Sequence, residues 1–529
     1  ILKNDIHKKI DTKLDELKIK ESSLVADLAA KKSWYSTLNH LSTNSELKRN
    51  LNAWLSAVSK IPKSGKHLLN KRKVAQNYLE KSKDAIPCWI MPIFKIAETI
   101  TPKQGMYDYV IIDEASQLGP DALFLRYLAK KIIIVGDDKQ TSPEYVGINS
   151  ETVFTLIKKH LKNTEFKEHY GIDYSFFDHS KIFVDNTIVL REHFRCMPEI
   201  IDFSNKHFYL PENKGLFPLK QYSNSRLQPL VNHYVPNAET NGKGAAITNL
   251  TEANAVVNEI ELIVKDPRYF GKSIGVICLQ GQQQSLLIEK KLIRSIGEIE
   301  FNKRKIICGN SSSFQGDERD IIILSLVTGP NSERRAFTGP NDERRFNVAM
   351  SRAIEQVILF HSIQITELKN TTDLRYKLLH HFMEFSPQKP IHREVIDVIE
   401  DEIPSGFDSR FEVNVYNEIV KKGYEVIPQY EMANGKYRID LAIILSNGAK
   451  IAIECDGDEF HGPEQFDRDN ARQKVLERVG WQFFRIRGSD FYLNKEKSLE
   501  DLWILLEMNE MSVAETRQQE VGSMSINQL

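Results

Sequence analysis

YDYVIIDEASQ, Tyr107 to Gln117, decides how the first half of the chain folds. Its apolar run Val110-Ile111-Ile112 stops abruptly at Asp113 and Glu114. A continuous apolar run reads as a strand buried in a parallel sheet, and acids at its carboxyl end stand where open α/β sheets bind ligands. There Asp113 would bind magnesium, directly or through water, and Glu114 would orient and deprotonate an attacking water. The plain alternative is a strand that ends in surface acids. The next apolar run favours the first reading. KIIIVGDDKQ, Lys131 to Gln140, brings Gly136, Asp137 and Gln140 to the neighbouring strand end, where a Gln amide can sense a γ-phosphate.

Working outward, the chain of 529 residues is too long for one core and should hold three to four units. Apolar content of 41% and charged content of 27% fit a globular protein. No run reaches the roughly 18 apolar residues of a membrane span and no secretory signal precedes the first domain, so no membrane partner is expected. Cys88, Cys196, Cys278, Cys308 and Cys455 lie far apart with no CxxC, which argues against a zinc ribbon or disulfide framework and for a reduced cytoplasm. A net charge of −1 confines any nucleic-acid surface to a local patch. One candidate is the acid-free stretch from Lys60 to Lys73, which reads first as a solvated helix face or loop, with a phosphate-contacting strip as the sharper alternative.

The fold class expected is α/β, with RecA-like parallel-sheet motor domains, a helical stalk and a C-terminal restriction-endonuclease-like α/β domain. Residues 1–82 carry helical periodicity through Ile6, Ile10, Leu14 and Leu17, with no proline before Pro62, and read as the stalk. Residues 83–185 alternate strands and helices through CWIMPIF, YVIIDEA and KIIIVGDDKQ. Residues 186–385 do so through SIGVICL, KIICGN, DIIILSLV and QVILFHS. Residues 386–407, with Pro387, Pro390, Pro404 and Gly406, read as a linker. A unit at 408–510 with its own core, able to fold alone, follows, and the polar tail 511–529 should be disordered.

DEAS followed by GDDKQTSP resembles motifs II and III of superfamily 1 helicases. LREHFRCMPEIIDFSN (Leu190 to Asn205) resembles motif IV, GNSSSFQGDERDIIILS (Gly309 to Ser325) motif V, and RRFNVAMSRA (Arg344 to Ala353) motif VI. They occur in the family's order, and the flavour is that of the nonsense-mediated-decay helicase and its DNA relatives. The resemblance implies ATP as cofactor, bound by Asp113, Gln140, Gly316 and Glu318, with Glu318 near the ribose. It implies Glu114 as base and Arg195 and Arg352 as arginine fingers, because a planar guanidinium spreads charge over transferring oxygens. It places Ser312, Ser313 and Gln315 against nucleic-acid backbone phosphates. The phosphate loop GxxxxGK[ST] does not occur. Gly65-Lys66-His67 lacks its first glycine and its hydroxyl. The family's order then leads to the expectation that a missing amino-terminal part carries that loop, and that this chain alone would not hydrolyse ATP.

The second informative stretch runs from RIDLAIIL, with Asp440, through Asn447-Gly448 to KIAIECDG, with Glu454 and Asp456. Glu454 and Asp456 are two apart and share a face. A two-residue turn at Asn447-Gly448 would set Asp440 opposite Cys455, with the acids on opposite faces. A three-residue loop with Gly448 left-handed would pair Leu445 with Ala449, Asp440 with Glu454 and Arg438 with Asp456. Shared metal chemistry requires the second register. Upstream, Glu412 lies in an amphipathic helix with Phe411, Val415 and Ile419. Downstream come His461, a helix with Arg468, Arg472 and Lys474, and the strand WQFFRIRG.

This order resembles the PD-(D/E)XK nucleases, in the branch of very-short-patch repair endonucleases, and the fusion resembles bacterial Hhe-type antiphage helicase–nucleases. The resemblance implies a metal-dependent endonuclease acting on DNA, with RNA open as the motor's substrate. Its catalytic residues would be Asp440, Glu454, Asp456, His461 and Glu412, with the first three binding Mg2+ or Mn2+. The usual ExK lysine is absent, since Asp456 takes its place. His461 is the natural substitute, and Lys474 is a second candidate. A nuclease fold kept only to tether DNA or a partner, on a motor that senses nucleic acid without unwinding it, is the alternative. Oligomeric state is not legible.

Overall fold

The computed structural model describes residues 2–526 except 63, 65, 141–142, 144–148, 173, 185–186, 221–225, 333–334, 386–402, 434, 446–447 and 457–462. Contacts divide the chain into two units, Ile1–Gly136 with Pro143–Phe183, and Asp137–Ser142 with Val184–Leu529.

In the first unit the proline-free start forms helices α1 (Leu2–Thr43), α2 (Ser45–Ser59) and α3 (Leu68–Ser82), with α2 and α3 packed together. The Asn44 side chain caps α2 by accepting from the Leu47 amide at 3.0 Å. CWIMPIF, expected as a strand, is not one. Pro87 and Pro92 lack amide donors, and Pro92 instead precedes helix α4 (Ile93–Thr99). Strands β1 (Tyr107–Ile112) and β2 (Ala129–Ile134) pair in parallel, Tyr107 with Ala129 and Ile112 with Ile134, and the short helix α5 (Phe124–Leu128) lies between them in sequence. Ile112, Leu125, Leu128 and Phe176 form the core of this unit. The other face of β1 keeps Tyr109 and Ile111 exposed, so within its unit the strand is covered on one side. Helices α6 (Ser150–His160) and α7 (Phe176–Lys181) complete the unit, α7 opening on a Ser175–Asp178 capping box.

The second unit holds two larger sheets. Before the first come a short parallel pair, β3 (Glu192–His193) and β4 (Phe217–Pro218), helix α8 (Pro198–Ser204) and strand β5 (Leu230–Tyr234). A small antiparallel pair, β6 (Thr240–Asn241) and β7 (Thr248–Asn249), leads into helix α9 (Leu250–Lys265). Strand β8 (Ile274–Cys278), helix α10 (Gln282–Lys303), strands β9 (Ile307–Gly309) and β10 (Arg319–Ser325), helix α11 (Pro340–Ser351), strand β11 (Ala353–His361) and helix α12 (Leu374–Glu384) follow. Five of these strands form a parallel sheet in the order β5-β11-β10-β8-β9. Its apolar runs are buried on both faces, as parallel sheets require. Ile322, Leu324, Val357 and Leu359 face one core, and Val276, Ile323, Ile358 and Phe360 face the other.

The second sheet has the order β12-β13-β14-β15, from β12 (Ile427–Met432), β13 (Tyr437–Ile444), β14 (Lys450–Asp456) and β15 (Trp481–Arg487). β14 and β15 are parallel and the other pairs antiparallel. Helix α13 (Arg410–Lys421) precedes it, α14 (Pro463–Arg478) connects β14 to β15, and α15 (Gly488–Leu493) and α16 (Lys495–Ile526) follow. The polar stretch expected to be a disordered tail continues α16 as far as Ile526. The stretch is proline-free, with Glu515, Gln518, Gln519 and Glu520 as good helix formers and Gly522 as a poor one. The stretch expected as a linker falls mostly outside the described residues.

One core of this region is built from its own residues, among them Val413, Leu441, Ile453, Phe491 and Leu502, and its second core takes in a residue from outside. Leu219, just after β4, is fully buried among Met432, Tyr437, Ile439, Ala452 and Trp481, with Phe217 packed alongside. A residue nearly two hundred positions upstream of α13 therefore completes one face of this sheet.

Candidate functional site

Two groups of expected residues take shape. The β1 end turns sharply: Glu114 adopts a left-handed conformation at φ 52°, which costs a non-glycine residue on the order of 1 kcal/mol and recurs at functional sites. Asp113 Oδ1 accepts the Glu114 amide at 2.9 Å, and Asp113 remains exposed. At the end of β2, Gly136 has no room for a side chain, because a Cβ there would lie 2.8 Å from the Phe177 ring and 3.2 Å from the Ser116 amide nitrogen.

The loop after Gly136 belongs to the second unit. Asp137 organises it: Oδ1 accepts the Lys139 amide at 2.9 Å, and Oδ2 accepts the Gln140 side-chain amide at 2.9 Å and the Tyr209 hydroxyl at 2.7 Å. Asn347 on α11 donates to Lys139 O at 2.8 Å and to the Tyr209 hydroxyl at 3.0 Å. The buried Arg352 guanidinium donates to Gln140 Oε1 at 2.5 Å. Arg195 pairs with Glu318 Oε2 at 2.6 Å and reaches Ser351 O at 3.4 Å. Gln140, Arg352, Arg195 and Glu318, distant in sequence, thus lie around the end of α11. Ser312 and Ser313 lie in the single turn Ser311–Phe314, where Ser313 Oγ donates to Asn310 Oδ1 at 3.0 Å. Gln315 and Gly316 follow directly. Sequence reasoning missed Tyr209, which sits in a π-turn, Asn205–Tyr209; such turns mark functional sites often enough to look for, but leave no sequence signature.

The second group is on the β13–β14 hairpin. Leu441 pairs with Ile453 and Ile444 with Lys450, and the Leu445 amide donates to Ala449 O at 2.9 Å, with Gly448 at φ 90°. This is the three-residue register; the pairing ends at Leu441 and Ile453, next to Asp440 and Glu454, and Asp440 lies close enough to act on the Glu454 carboxyl. Asp440 Oδ2 accepts the Cys455 amide at 2.8 Å. Arg472 of α14 lies against Glu454, while Cys455 packs into the core on the α13 side. Glu412 on α13 is buried, accepting from Ser409 Oγ at 2.9 Å and the Gln429 amide at 2.5 Å.

Burial raises the Asp440 carboxyl, the Cys455 amide opposes this and the Glu412 charge adds to it. Burial pushes Glu454 up to about 7, with Arg472 pulling it back and Asp440 pushing further. Among the described residues no three His, Cys, Asp or Glu side chains gather closely enough to hold one ion as they stand. Arg472 donates to Glu454 Oε1 at 2.9 Å, and Arg485 to Asp456 Oδ1 at 3.2 Å. Two of the three expected metal carboxylates are thus each paired with an arginine. The donor chemistry of Asp440 and Glu454, hard oxygens crowded in a desolvated site, still fits a hard divalent cation. His461 lies outside the described residues, and Lys474 is exposed on α14. Arg472 was noticed in the sequence but not as a partner of Glu454, and Gln429 and Arg485 were missed. Strand β12 also went unseen, because Pro428 argues against a strand; β12 is an edge strand, where proline is tolerated.

The AAA domain family model AAA_12 matches residues 172–363, and the family model REase_MTES_1575 matches residues 411–506. The chain is 31% identical over 309 residues to the uncharacterized ATP-dependent helicase MG140 of Mycoplasma genitalium, spanning 54% of this chain and 26% of that protein. It is 25% identical over 441 residues to the MG140 homolog of Mycoplasma pneumoniae, spanning 77% of this chain and 38% of that protein. It is 30% identical over 295 residues to the DNA replication ATP-dependent helicase/nuclease dna2 of Schizosaccharomyces pombe, spanning 52% of this chain and 20% of that protein. The chain thus spans between a fifth and two fifths of the length of these relatives. A helicase-type segment and a restriction-endonuclease-like segment share one α/β chain.

Proposed function

We propose that this chain serves an ATP-dependent helicase or translocase whose C-terminal domain is a metal-dependent DNA endonuclease, acting in the bacterial cytoplasm against phage or other foreign DNA. The observation that supports the nuclease half is the hairpin register, which pairs Leu441 with Ile453, the neighbours of Asp440 and Glu454. The helicase/nuclease pairing in the name of the dna2 relative supports DNA as substrate.

In the motor, Glu114 takes the proton of the attacking water, and Asp113 would hold the magnesium of bound ATP. Arg195 and Arg352 spread over the charge that develops on the transferring phosphoryl group. Gln140, hydrogen-bonded to Arg352, relays the nucleotide state, and Glu318 and Gly316 flank the nucleotide. Ser312, Ser313 and Gln315 contact backbone phosphates. In the nuclease, Asp440 and Glu454, with Asp456 beside them, would hold magnesium or manganese, which neutralises a scissile phosphate and lowers the pKa of bound water. Glu412 holds Gln429 next to this face. His461 serves as the proton-handling group in place of the absent lysine.

Tethering is a second reading, favoured by the pairing of Glu454 with Arg472 and of Asp456 with Arg485, which neutralises the acids without a metal. The test is cleavage of supercoiled, duplex and single-stranded DNA by the whole chain with magnesium or manganese, since Leu219 makes a truncated domain incomplete. Metal-dependent cleavage lost in Asp440→Ala supports the nuclease; DNA binding with no cleavage under either metal supports the tether.

A further inference from the structure

The segment that carries Arg195 is gripped from outside by the restriction-endonuclease-like domain. β3 is short, and its own partner is β4: the Phe217 amide donates to Arg191 O at 2.7 Å and the Leu219 amide to His193 O at 2.8 Å. Successive side chains of an extended segment point to opposite sides, and here the contacts separate accordingly. On one side, Glu192 Oε1 accepts the Tyr437 hydroxyl at 2.7 Å and the Lys436 ammonium at 2.9 Å. The Lys436 ammonium also lies 4.5 Å from the Phe217 ring centre, and the Arg478 guanidinium 4.8 Å from that of Phe194. Leu219 inserts into the apolar face beneath Tyr437. On the other side, His193 Nε2 accepts the Cys196 amide at 3.0 Å, Cys196 Sγ lies 3.3 Å from Ser351 O, and Arg195 reaches Glu318 and Ser351.

We infer that the nuclease-like domain is the brace that holds Arg195 in position, with Glu192 and Tyr437 as positioning residues of the motor. The inference rests on the reading of Arg195 as a phosphoryl-contacting arginine and deepens it. Lys436 first, then Tyr437, holds the Glu192 carboxyl below the usual carboxylate range, so the joint keeps its charge at neutral pH. A rotation of the β12–β13 turn against β3 would be passed to Arg195 three residues later through the β3–β4 pair and the His193–Cys196 hydrogen bond. Coupling between two sites is reciprocal for binding free energies. Engagement of a phosphate by Arg195 therefore tightens the grip on Glu192, and release of the grip loosens Arg195.

The test is a double-mutant cycle on the full-length protein, reading kcat and KM for ATP. Tyr437→Phe removes only the hydroxyl, and Glu192→Gln keeps an acceptor for Tyr437 while losing the charge that Lys436 meets. Both are checked for an unchanged melting profile, so that if one misfolds the other carries the test. Each should lower kcat by roughly three- to tenfold with KM unchanged, the loss of one charge-assisted hydrogen bond being felt only when Arg195 is engaged. In an Arg195→Ala background neither should lower kcat further. Unchanged kcat in both single variants overturns the brace, as does the same fold-loss in the Arg195→Ala background. An Arg195→Ala variant that turns over normally overturns the reading of Arg195 itself, a distinct outcome.

Discussion

Two pairs of acids, one of adjacent residues after a strand and one drawn from two neighbouring strands, meet opposite surroundings. Asp113 stands exposed at the end of β1, with Glu114 turned away by a left-handed backbone. Asp440 and Glu454 stand on adjacent strands, desolvated, with like charges around them and Arg472 paired with Glu454. A solvated carboxylate is free to meet a hydrated ion and its phosphate, whereas a buried one costs free energy until a cation reaches it. The chemistry of the first pair thus depends on what binds there; the second already has the electrostatic need for a cation built into the sheet.

The sharpest way to break this comparison is to remove one acid from each pair. Glu114→Gln should lower ATP turnover by roughly 10²- to 10⁴-fold, the range for a lost general base, and leave DNA cleavage within about tenfold. Asp440→Asn should abolish cleavage and leave ATP turnover within the same margin. Both activities falling together in either variant would mean that the two sites are one functional unit.

Leu219→Ala tests whether the buried pair depends on a core shared with the motor. Truncating a fully buried leucine should cost about 2–5 kcal/mol, read as a lower midpoint in urea for the transition followed by Trp481 fluorescence. An unchanged midpoint would mean that the C-terminal sheet holds together without Leu219.

Glu252 is the contrasting buried acid, met by hydroxyl and amide donors: Ser325 Oγ at 2.6 Å, the Val327 amide at 2.8 Å and Ser362 Oγ at 2.8 Å. Burial still pushes its carboxyl up to about 7 from 4.5. The folded state therefore holds a proton that the unfolded state releases, so stability is full below pH 4.5, falls through the window up to about 7, and levels off above it. The loss is roughly 3 kcal/mol. In Glu252→Gln this contribution should vanish, so the stability difference between the two proteins should shift across that window and be flat on either side. Parallel pH profiles would show that hydrogen bonds keep Glu252 ionised.

The smallest effect concerns the turn that sets the register. Gly448 at φ 90° tolerates no Cβ without strain, so Gly448→Ala should cost about 1 kcal/mol in stability. No loss would mean the register is held by the strands alone.

What could be read from the chain follows the range of the interactions. The hairpin register was legible because alternation, a glycine and the need for acids on one face are local constraints, and the apolar runs of β8, β10 and β11 declared a parallel sheet for the same reason. CWIMPIF misled because its apolar composition outweighed Pro92 within it and Pro87 just before it. The insertion of Leu219 beneath Tyr437, the pairing of Arg472 with Glu454 and the grip of Tyr209 on Asp137 join residues far apart in the chain. No spacing announces them, and they decide how the sites are wired.

The most direct measurement is manganese binding by calorimetry on the whole chain, wild type against Asp440→Asn. The account predicts binding by the wild type, displacement of manganese by magnesium, and loss of that site in Asp440→Asn with the melting profile retained. Equal binding by both proteins, or none by the wild type, would contradict it and leave the Asp440–Glu454 face as a tether neutralised by its own arginines.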